Sequence, residues 1–550
     1  MKKFSGKGIY GAIAVGNVSI FKRKEASVKK IHIQNVEEEM ERLAAAKEAS
    51  VHQLHGIYEK ARKELGENDA QIFHIHSMLI EDVEYNGFIR DVMESQKVNA
   101  EYAVAAASDY FQNLFGQMED AYLQARAADI RDISRRLIRN LEENPEEQEM
   151  QAGKVILCAD DLAPSETVLL DTDRILAFVT ALGSPNSHTA ILAGSRNIPA
   201  VVGVGEEFLK LVQDGMTVGV DGYTGDVVLE PDEETTQRLL EKQRAEEETN
   251  RLLKELRGKE NVTPDGRRID IYANIDHVGQ VESALANDAG GIGLFRSEFL
   301  YLEHSDYPTE EQQFAVYKEV LERMGGKKVI IRTADIGADK QADYFHLAKE
   351  PNPALGLRGI RLCISRPEML RVQLRALYRA SVFGSLGILF PMISSVSEVE
   401  KIRCACKAVR EELQAEGTAY SDEVELGIMI ETPAAAVISD RLAPLVDFFS
   451  VGTNDLTQYT LACDRQNPEM EAFCDTHHEA VLRLIGWSAK NAHRHGTRIG
   501  ICGELAGDLT LTERFLEMGI DELSVSPSLV LRLRDSVRKT GLGTEHGNLS

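Results

Sequence analysis

The stretch Leu426-Gly427-Ile428-Met429-Ile430-Glu431-Thr432-Pro433 joins an apolar run to a carboxylate that follows it directly. An apolar run without polar alternation is typical of a strand buried on both faces, as the strands of a parallel sheet are. Glu431 then lies where the carboxyl end of the strand meets solvent. Because the arrangement recurs along the C-terminal half of the chain, it predicts both an architecture and the edge at which polar side chains gather.

Seven further apolar runs between residues 267 and 526 are separated by segments of helical length. Eight buried strands that alternate with helices over about 260 residues predict a parallel (β/α)8 barrel, the TIM barrel. The seven runs are Arg268–Ala273, Gly291–Phe295, Lys328–Arg332, Gly387–Met392, Phe448–Gly452, Arg498–Cys502 and Leu523–Val525.

Charged side chains follow several of these strands at their carboxyl ends, where TIM barrels place their catalytic groups. Glu431 and Asp455 come after neighbouring strands and offer two hard oxygen ligands, which suits Mg²⁺. Arginines supply the planar, paired donors that phosphate and carboxylate oxygens require. One arginine at a strand end is often only an ion-pair partner, but several at one rim predict a site for an anion and a metal. The residues expected to bind the ligand are Arg296, Arg332, Arg358, Asn454, Asp455 and Arg465.

A second candidate site lies outside the predicted barrel, in the segment Gly183–Gly194. Asn186 and Ser187 are residue types that cap helix N-termini, and Gly194 is a natural stop, so the segment predicts a short helix with His188 in its first turn. Unpaired N–H groups and the helix dipole there favour a neutral imidazole and suit a phosphoryl group on its ring. A lone histidine in such a turn is more often structural. The anion and metal site predicted at the barrel rim favours a catalytic role for His188 instead.

The N-terminal half changes its periodicity twice. Between Val36 and Asn144, four apolar stripes with helical spacing predict a four-helix bundle. Short strand-like runs on both sides of it predict a compact α/β domain that carries His188 and contains the bundle as an insertion. We therefore expect a multidomain α/β protein with a C-terminal TIM barrel. The expected boundaries are 1–22 with 145–231 for the α/β domain, 23–144 for the helical domain, 232–260 for a connector helix, 261–540 for the barrel and 541–550 for a tail.

Composition narrows the classes of partner. The 550-residue chain has 43% hydrophobic and 27% charged residues, which is ordinary for a soluble globular protein. Its net charge of −26 argues against nucleic acid or an anionic membrane as a partner. Seven cysteines, an odd number spread along the chain, predict reduced thiols in the cytoplasm rather than a disulfide framework. The N-terminus shows no apolar run of the length that a signal peptide or a membrane span needs.

Five longer motifs surround the predicted strand ends: Gly293–Leu300, Ile331–Lys340, Asn352–Arg358, Phe448–Tyr459 and Cys502–Asp508. They resemble the signatures of the enzyme I family, the phosphoenolpyruvate–protein phosphotransferases of the bacterial sugar phosphotransferase system. The resemblance covers essentially the whole chain, including the helical insertion.

The resemblance implies that phosphoenolpyruvate (PEP) binds at the barrel mouth, with Mg²⁺ held by Glu431 and Asp455. It also implies that Cys502 protonates the departing enolate to give pyruvate, and a thiol with an ordinary pKa of about 8.5 keeps its proton at pH 7. Loose phosphoryl transfer needs charge neutralisation and positioning more than covalent assistance, which agrees with arginines and a metal. In the family, the phosphate and carboxylate oxygens are held by residues that match Arg296, Arg332, Asn454 and Arg465.

The same resemblance makes His188 the phosphoryl carrier. Its Nε2 would attack phosphorus, and the α/β domain would then move to the helical domain, where the small phosphocarrier protein HPr accepts the group. A connector at 232–260 permits such a movement. Members of the family dimerise through the barrel, so a homodimer is expected.

Three parts of the chain depart from the family pattern. Ser184 and Asn186 replace the glycine and threonine that usually precede the histidine, so we expect activity with altered histidine geometry. His74 replaces a glutamate and removes an acid from the expected carrier-binding face. Cys463 and Gln466 replace valine and glycine in a loop of the barrel rim.

Other classes of protein share parts of this pattern. An ATP-linked relative, PEP synthase or pyruvate phosphate dikinase, carries a large ATP-binding domain before the histidine, whereas only about 180 residues precede His188 and they contain no P-loop. A Mg²⁺-dependent barrel lyase would use Glu431 and Asp455 but would leave His188 and the helical insertion unexplained. A non-catalytic phosphocarrier or scaffold is the third alternative.

Overall fold

The computed structural model of the chain describes residues 1–21, 28–64, 67–116, 121–142, 153–183, 187–196, 198–302, 306–337, 343–348, 350–465 and 467–541. These residues form two compact units, Met1–Thr249 and Asn250–Ser550. The predicted tail at 541–550 lies almost wholly outside the described residues.

Eight strands of the N-terminal unit form one mixed sheet with the order β1-β8-β7-β3-β4-β5-β6-β2. Strands β3 to β6 run parallel, and the remaining pairs are antiparallel. The first twenty residues therefore pair with strands that follow the helical insertion, as the sequence predicts. The strands are β1 (Lys2–Ser5), β2 (Lys7–Tyr10), β3 (Ile13–Ile20), β4 (Val155–Ala159), β5 (Ile175–Thr180), β6 (Ala200–Val202), β7 (Thr217–Asp221) and β8 (Asp226–Leu229).

Helices of the N-terminal unit fall into an inserted group and a set associated with the sheet. The inserted group is α1 (Val36–Glu64), α2 (Glu67–Glu81), α3 (Val83–Gln96), α4 (Ala100–Gly116) and α5 (Ala121–Leu141). The others are α6 (Pro164–Leu169), α7 (His188–Arg196), α8 (Glu206–Leu211) and α9 (Glu233–Lys254).

The described part of the insertion contains five helices, one more than the four apolar stripes predict. Asp82 separates α2 from α3, and its side chain accepts a hydrogen bond from the backbone N–H of Tyr85 at 2.9 Å. Helix α3 ends at Lys97, which has a left-handed backbone with φ of 49°. The extra helix buries Ile89 and Met93 against the other helices, so the helical domain has a single apolar core.

The C-terminal unit is a closed barrel of eight strands, and every neighbouring pair is parallel. This confirms the TIM barrel that the apolar runs predict. The strands are β9 (Asp270–Ile275), β10 (Gly291–Arg296), β11 (Lys328–Arg332), β12 (Leu386–Phe390), β13 (Glu425–Ile430), β14 (Phe448–Val451), β15 (Arg498–Ile501) and β16 (Glu522–Val525).

The barrel is filled by its own side chains. One buried apolar cluster takes a residue from each strand from β10 to β14 and one from the end of β15: Leu294, Ile330, Leu389, Met429, Phe448 and Cys502. Side chains of the opposite alternation pack against the surrounding helices in a second, larger core. Full burial of a large apolar side chain stabilises a fold by about 1.5–3 kcal/mol, so the two layers hold the rim in a fixed shape.

The described helices of the C-terminal unit range from short turns to long helices. They are α10 (Val281–Ala286), α11 (Phe299–Leu302), α12 (Glu310–Arg323), α13 (Ile360–Ser365), α14 (Pro367–Ala380), α15 (Val396–Glu416), α16 (Pro433–Val437), α17 (Ser439–Leu442), α18 (Thr453–Leu461), α19 (Glu479–Arg494), α20 (Thr512–Met518) and α21 (Val530–Lys539). None of the described helices combines the length and apolar character that crossing a bilayer requires.

One expectation about the cysteines is wrong. Cys463 and Cys474 form a disulfide, with their Cα atoms 5.9 Å apart. The loop after α18 turns back on itself. It brings two cysteines that are 11 residues apart in sequence to bonding distance. The other five cysteines are free thiols, as expected, and only Cys404 among them is exposed.

Candidate active site

The structure gathers the predicted barrel residues at the carboxyl ends of the strands. Arg296 and Arg332 end β10 and β11, Glu431 follows β13, and Cys502 follows β15. Asp455 lies in the first turn of α18, after β14, beside Asn454. The remaining two arginines lie in loops of the same unit, Arg358 just before α13 and Arg465 after α18.

Arg332 is a buried cation held by two carboxylates. Its Nη2 donates to Oε1 of Glu298 at 3.0 Å, and its Nη1 lies 3.4 Å from Oδ2 of Asp335. Burial opposes the charge, but the neighbouring carboxylates outweigh burial and raise the pKa of the Arg332 guanidinium above its ordinary value. A permanently charged group with a fixed orientation therefore lies at the rim.

Arg358 is held in the same way. Its Nη2 donates to Oδ2 of Asp335 at 2.9 Å, so this carboxylate connects the two buried arginines. Its Nη1 donates to the hydroxyl of Tyr459 at 3.2 Å and lies 3.6 Å from Oδ1 of Asp455. The result is a chain of alternating charges from Arg332 to Asp455 across the rim.

Glu431 and Asp455 are two buried carboxylates at the centre of this arrangement. Glu431 is wholly buried, and burial together with the charges of Asp455 and Asp335 raises its pKa to about 8. One oxygen, Oε1, accepts a hydrogen bond from the backbone N–H of Met392. The other, Oε2, has no hydrogen-bond partner within the part of the chain that the structure describes.

This pair fits a magnesium ion. A buried carboxylate oxygen without a partner is costly, and a divalent cation removes that cost. Mg²⁺ commonly takes one or two protein carboxylates and completes its shell with substrate oxygens and water. The described residues hold no cluster of three or more His, Cys, Asp or Glu side chains placed to bind a metal.

Met392 supports Glu431 from an unusual backbone conformation. Its φ of 59° places a non-glycine residue in the left-handed region, which costs of order 1 kcal/mol. The conformation aims the backbone N–H of Met392 at Glu431 and so fixes one oxygen of that carboxylate.

Cys502 offers a protonated thiol beside these charges. It is buried in the barrel interior, and its Sγ lies 3.6 Å from the carbonyl oxygen of Val451. Burial raises the pKa of the Cys502 thiol to about 11, although a hydrogen bond with Ser450 and the charge of Arg332 oppose this. The thiol therefore holds its proton at neutral pH and can act as an acid.

Two further predicted residues lie at the more open part of the rim. Arg296 is exposed, and its Nη1 donates to Oδ1 of Asp276 at 2.7 Å. Asn454 is oriented by Glu504 in both directions: its Nδ2 donates to Oε1 at 2.9 Å, and its Oδ1 accepts from the Glu504 backbone N–H at 3.1 Å. The amide is thereby held with a defined donor direction.

Arg465 is the most loosely held of the predicted arginines. Its side chain is 36% exposed, and its Nη2 lies 3.9 Å from Oδ1 of Asp455. Its backbone N–H donates to the side chain of Gln458 at 3.2 Å. The position of this guanidinium thus depends mainly on the loop that follows α18.

His188 belongs to the other unit. The predicted short helix is present, since α7 begins at His188 and Ser187 accepts a hydrogen bond from the backbone N–H of Ala190 at 3.4 Å. Gly183 precedes the helix with a φ of 100°, which suits only glycine at low cost. Ser184 and Asn186 lie outside the described residues, as does Gln466 in the barrel unit.

Comparison with known proteins identifies the family to which this chain belongs. Models of PEP-utilising enzymes match three segments: the N-terminal domain at residues 5–126, the mobile domain at 151–225 and the PEP-binding domain at 250–542. The chain belongs to the family of PEP-utilising enzymes. The match to the PEP-binding domain begins at the first residue of the C-terminal unit.

Similar members of this family carry one name. The phosphoenolpyruvate-protein phosphotransferase of Priestia megaterium is 41% identical over 98% of this chain and 94% of its own length. The protein of the same name from Bacillus subtilis (strain 168) is 40% identical over 98% of this chain and 95% of its own length. Among solved structures, an NMR solution structure of Enzyme I (nEIt) is 33% identical and covers 44% of this chain and 99% of that chain, with a TM-score of 0.38.

Several residues of the rim were not assigned a role from the sequence. Glu298 and Asp335 anchor the buried arginines, and both lie within three residues of a predicted arginine, so the spacing carried a usable signal. Tyr459 and Glu504 position Arg358 and Asn454 from within recognisable motifs. Met392 had no such signal, because a left-handed backbone at methionine is set by tertiary packing.

Proposed function

We propose that this chain is a phosphoenolpyruvate–protein phosphotransferase that moves the phosphoryl group of PEP to His188 and from there to the phosphocarrier protein HPr, releasing pyruvate. The observation that carries the proposal is the rim itself. Two buried arginines, two buried carboxylates and a protonated thiol lie together at the rim of the barrel.

Substrate binding uses the cations of the rim. Arg332 and Arg358 present guanidinium groups whose orientation is fixed before the ligand arrives, because carboxylates hold one edge of each. Arg296, Asn454 and Arg465 then complete the binding of phosphate and carboxylate oxygens from the open side. Preorganised charge of this kind lowers the barrier to phosphoryl transfer more than covalent assistance does.

A magnesium ion belongs to the same proposal. Glu431 and Asp455 would hold it, since Oε2 of Glu431 is a buried oxygen without a hydrogen bond. When bound, Mg²⁺ neutralises part of the charge on the phosphate oxygens. Asp455 also faces Arg358 and Arg465, so it connects the metal site to the arginines.

Phosphoryl transfer follows from the groups in place. Nε2 of His188 forms a bond to phosphorus as the bond from phosphorus to the enol oxygen of PEP breaks. Cys502 gives its thiol proton to the methylene carbon of the enolate, which becomes the methyl group of pyruvate, and the thiolate regains a proton from solvent. The raised pKa of the Cys502 thiol keeps that proton available at neutral pH.

The remaining parts of the proposal concern partners and place. His188 must meet both the rim and the carrier, so the α/β domain that bears it moves between the barrel and the helical domain, with helix α9 as the connection to the barrel. The helical domain receives HPr, and the barrel forms a homodimer. The protein acts in the cytoplasm, where its carrier and PEP are available.

The direct test is phosphorylation of the pure protein by PEP labelled in its phosphate group, with Mg²⁺ and without ATP. We expect acid-labile, alkali-stable label on the wild-type chain and none on the His188→Ala variant. The His74→Ala variant is the matched control, because His74 is an exposed histidine of α2 in the same unit, and it should keep its label. No label on the wild type would refute the proposal, as would a requirement for ATP.

A further inference from the structure

The only disulfide in the described residues encloses Arg465. Cys463 and Cys474 are separated by 11 residues in sequence, and their Cα atoms lie 5.9 Å apart. Cys463 stands where valine is common in the enzyme I family, so the pair is a property of this chain rather than of the general pattern. The enclosed loop carries the predicted PEP ligand that is held least firmly by other contacts.

Both ends of the loop are anchored by backbone hydrogen bonds. Helix α18 ends with Ala462 in the left-handed region, and the N–H of Cys463 donates to the carbonyl of Gln458 at 3.1 Å. At the other end, the N–H of Cys474 donates to the carbonyl of Met470 at 3.1 Å. The backbone at each cysteine is therefore held locally by a hydrogen bond, and the disulfide joins the two ends of the loop at a Cα separation of 5.9 Å.

The two cysteines differ in exposure, so the more accessible Cys474 is expected to react first with an oxidant. Cys463 is buried, with 2% of its surface exposed, whereas Cys474 is half-buried and accessible to a small reagent. Disulfides in reducing compartments are usually transient and serve catalysis or redox sensing rather than structure. A disulfide that closes a surface loop beside a substrate site has the features of a transient, redox-sensing disulfide.

We propose that Cys463 and Cys474 form a reversible redox modification site that controls the order of the Arg465 loop. The oxidised form holds the loop closed and keeps Arg465 beside Asp455, and the reduced form gives the loop more freedom. Oxidation thereby favours binding of PEP, because less conformational entropy remains to be lost when the ligand binds. This last step rests on the proposed function, in which Arg465 is a ligand of PEP.

The oxidant is a low-molecular-weight disulfide, RSSR. The thiolate of Cys474 attacks one sulfur of RSSR, forms a mixed disulfide and releases RSH after taking up a proton. The thiolate of Cys463 then attacks the sulfur of Cys474, and the second RSH leaves. Two protein thiols are oxidised and one RSSR is reduced to two RSH, and a reducing thiol reverses both steps.

The other thiols do not compete for this reaction. Cys158, Cys363 and Cys406 are buried, and burial raises the pKa of each thiol, so little thiolate forms. Cys502 is protected in the same way. Cys404 is exposed and reacts with RSSR, but it ends as a mixed disulfide, which has a different mass from an internal bond.

The first test measures the bond without using PEP. The full chain is reduced, equilibrated with glutathione disulfide, alkylated and analysed by peptide mass. We expect a cross-link between the Cys463 and Cys474 peptides in the wild type and in Cys404→Ser, and none in Cys463→Val. Backbone amide exchange over residues 463–474 should slow at least about threefold on oxidation. A glutathione adduct on Cys404 without the cross-link would overturn the proposal.

The second test connects the bond to the substrate. The KM for PEP in the labelling reaction is measured for the oxidised and the reduced chain. We expect about a three- to tenfold lower KM after oxidation, with kcat within about twofold, and no difference between the two conditions for Cys463→Val. Equal KM values in a chain that does form the bond would overturn its link to PEP binding.

The two tests separate this proposal from the proposed function. A cross-linked chain with slowed amide exchange but without label from PEP would leave the redox site in place and refute the phosphotransferase. A chain that takes label from PEP but resists cross-linking would support the phosphotransferase and refute the redox site.

Discussion

Burial is the first cause of the raised pKa values of two residues at the rim, Cys502 and Glu431. Cys502 lies in the apolar barrel interior, and its pKa of about 11 follows mainly from the loss of hydration of a thiolate there. The same burial makes each arginine depend on a carboxylate, as Arg332 depends on Glu298 and Asp335. The shifted pKa values of the Cys502 thiol and of Glu431 thus share burial at the barrel rim as their first cause.

Cys502 gives a prediction about pH. Since its folded pKa is raised, the thiol contributes stability that is fully present below the unfolded pKa of about 9 and is lost as pH rises through about 11. We therefore expect no thiolate absorbance from Cys502 and no loss of pyruvate formation attributable to it between pH 7 and pH 9. An inflection near pH 8.5 that disappears in Cys502→Ala would contradict the burial argument.

Glu431 gives a prediction about metal removal. Replacing it with Gln removes a ligand and should raise the Mg²⁺ concentration for half-maximal labelling at least about tenfold. In the absence of metal, the same variant should unfold at an equal or higher urea concentration, because burial and the charges of Asp455 and Asp335 disfavour a carboxylate at this position.

The matched control is Glu423→Gln, an exposed residue just before β13 at the opposite end of that strand. It should change neither the Mg²⁺ requirement nor the unfolding midpoint. A metal requirement unaltered by Glu431→Gln would move the cation away from the predicted pair.

At the level of elements, the sequence predicts the buried strands and the capped helix α7 well, but it does not predict helix α3. The barrel strands are found within two residues of their predicted bounds, because a run of apolar side chains leaves few alternatives in a parallel sheet. Helix α3 is not among the predicted helices, although its buried residues Tyr85, Ile89, Val92 and Met93 have the spacing of an amphipathic helix; its boundary with α2 depends on one capping residue, Asp82. The bond between Cys463 and Cys474 could not be predicted either, because it depends on how a loop returns.

The cap of α3 can be tested directly. Asp82→Ala removes the acceptor for the Tyr85 N–H and should lower the free energy of unfolding of the N-terminal unit by about 1 kcal/mol. Asp82→Asn keeps an acceptor of the same length and should cost much less. Urea unfolding followed by circular dichroism measures both, and equal losses in the two variants would show that the charge, not the cap, matters.

At the scale of the whole molecule, the proposed function divides the two half-reactions between the two units. In that proposal the barrel rim binds PEP, and the phosphoryl group is carried on His188, which belongs to the N-terminal unit. Sequence motifs predict both sites because each is a local arrangement of strand end or helix start. The motion that joins them leaves no such local pattern.

Separation of the half-reactions predicts an asymmetric variant. Cys502→Ala should slow pyruvate formation by about 100-fold or more, the usual contribution of a general acid. Transfer from already phosphorylated protein to HPr should stay within about twofold of wild type, because the thiol lies in the barrel unit and plays no part in that step. Rapid-quench measurement of each step compares them, and equal losses would argue against an acid role for Cys502.

The most direct test of the central claim is the exchange of labelled pyruvate into PEP, with Mg²⁺ and with neither ATP nor carrier. The exchange requires the rim to make and break the bond between phosphorus and the enol oxygen while His188 holds the phosphoryl group. We predict steady exchange for the wild type and for His74→Ala, and exchange at background for His188→Ala. Exchange that continues without His188, or none in the wild type, would contradict the account.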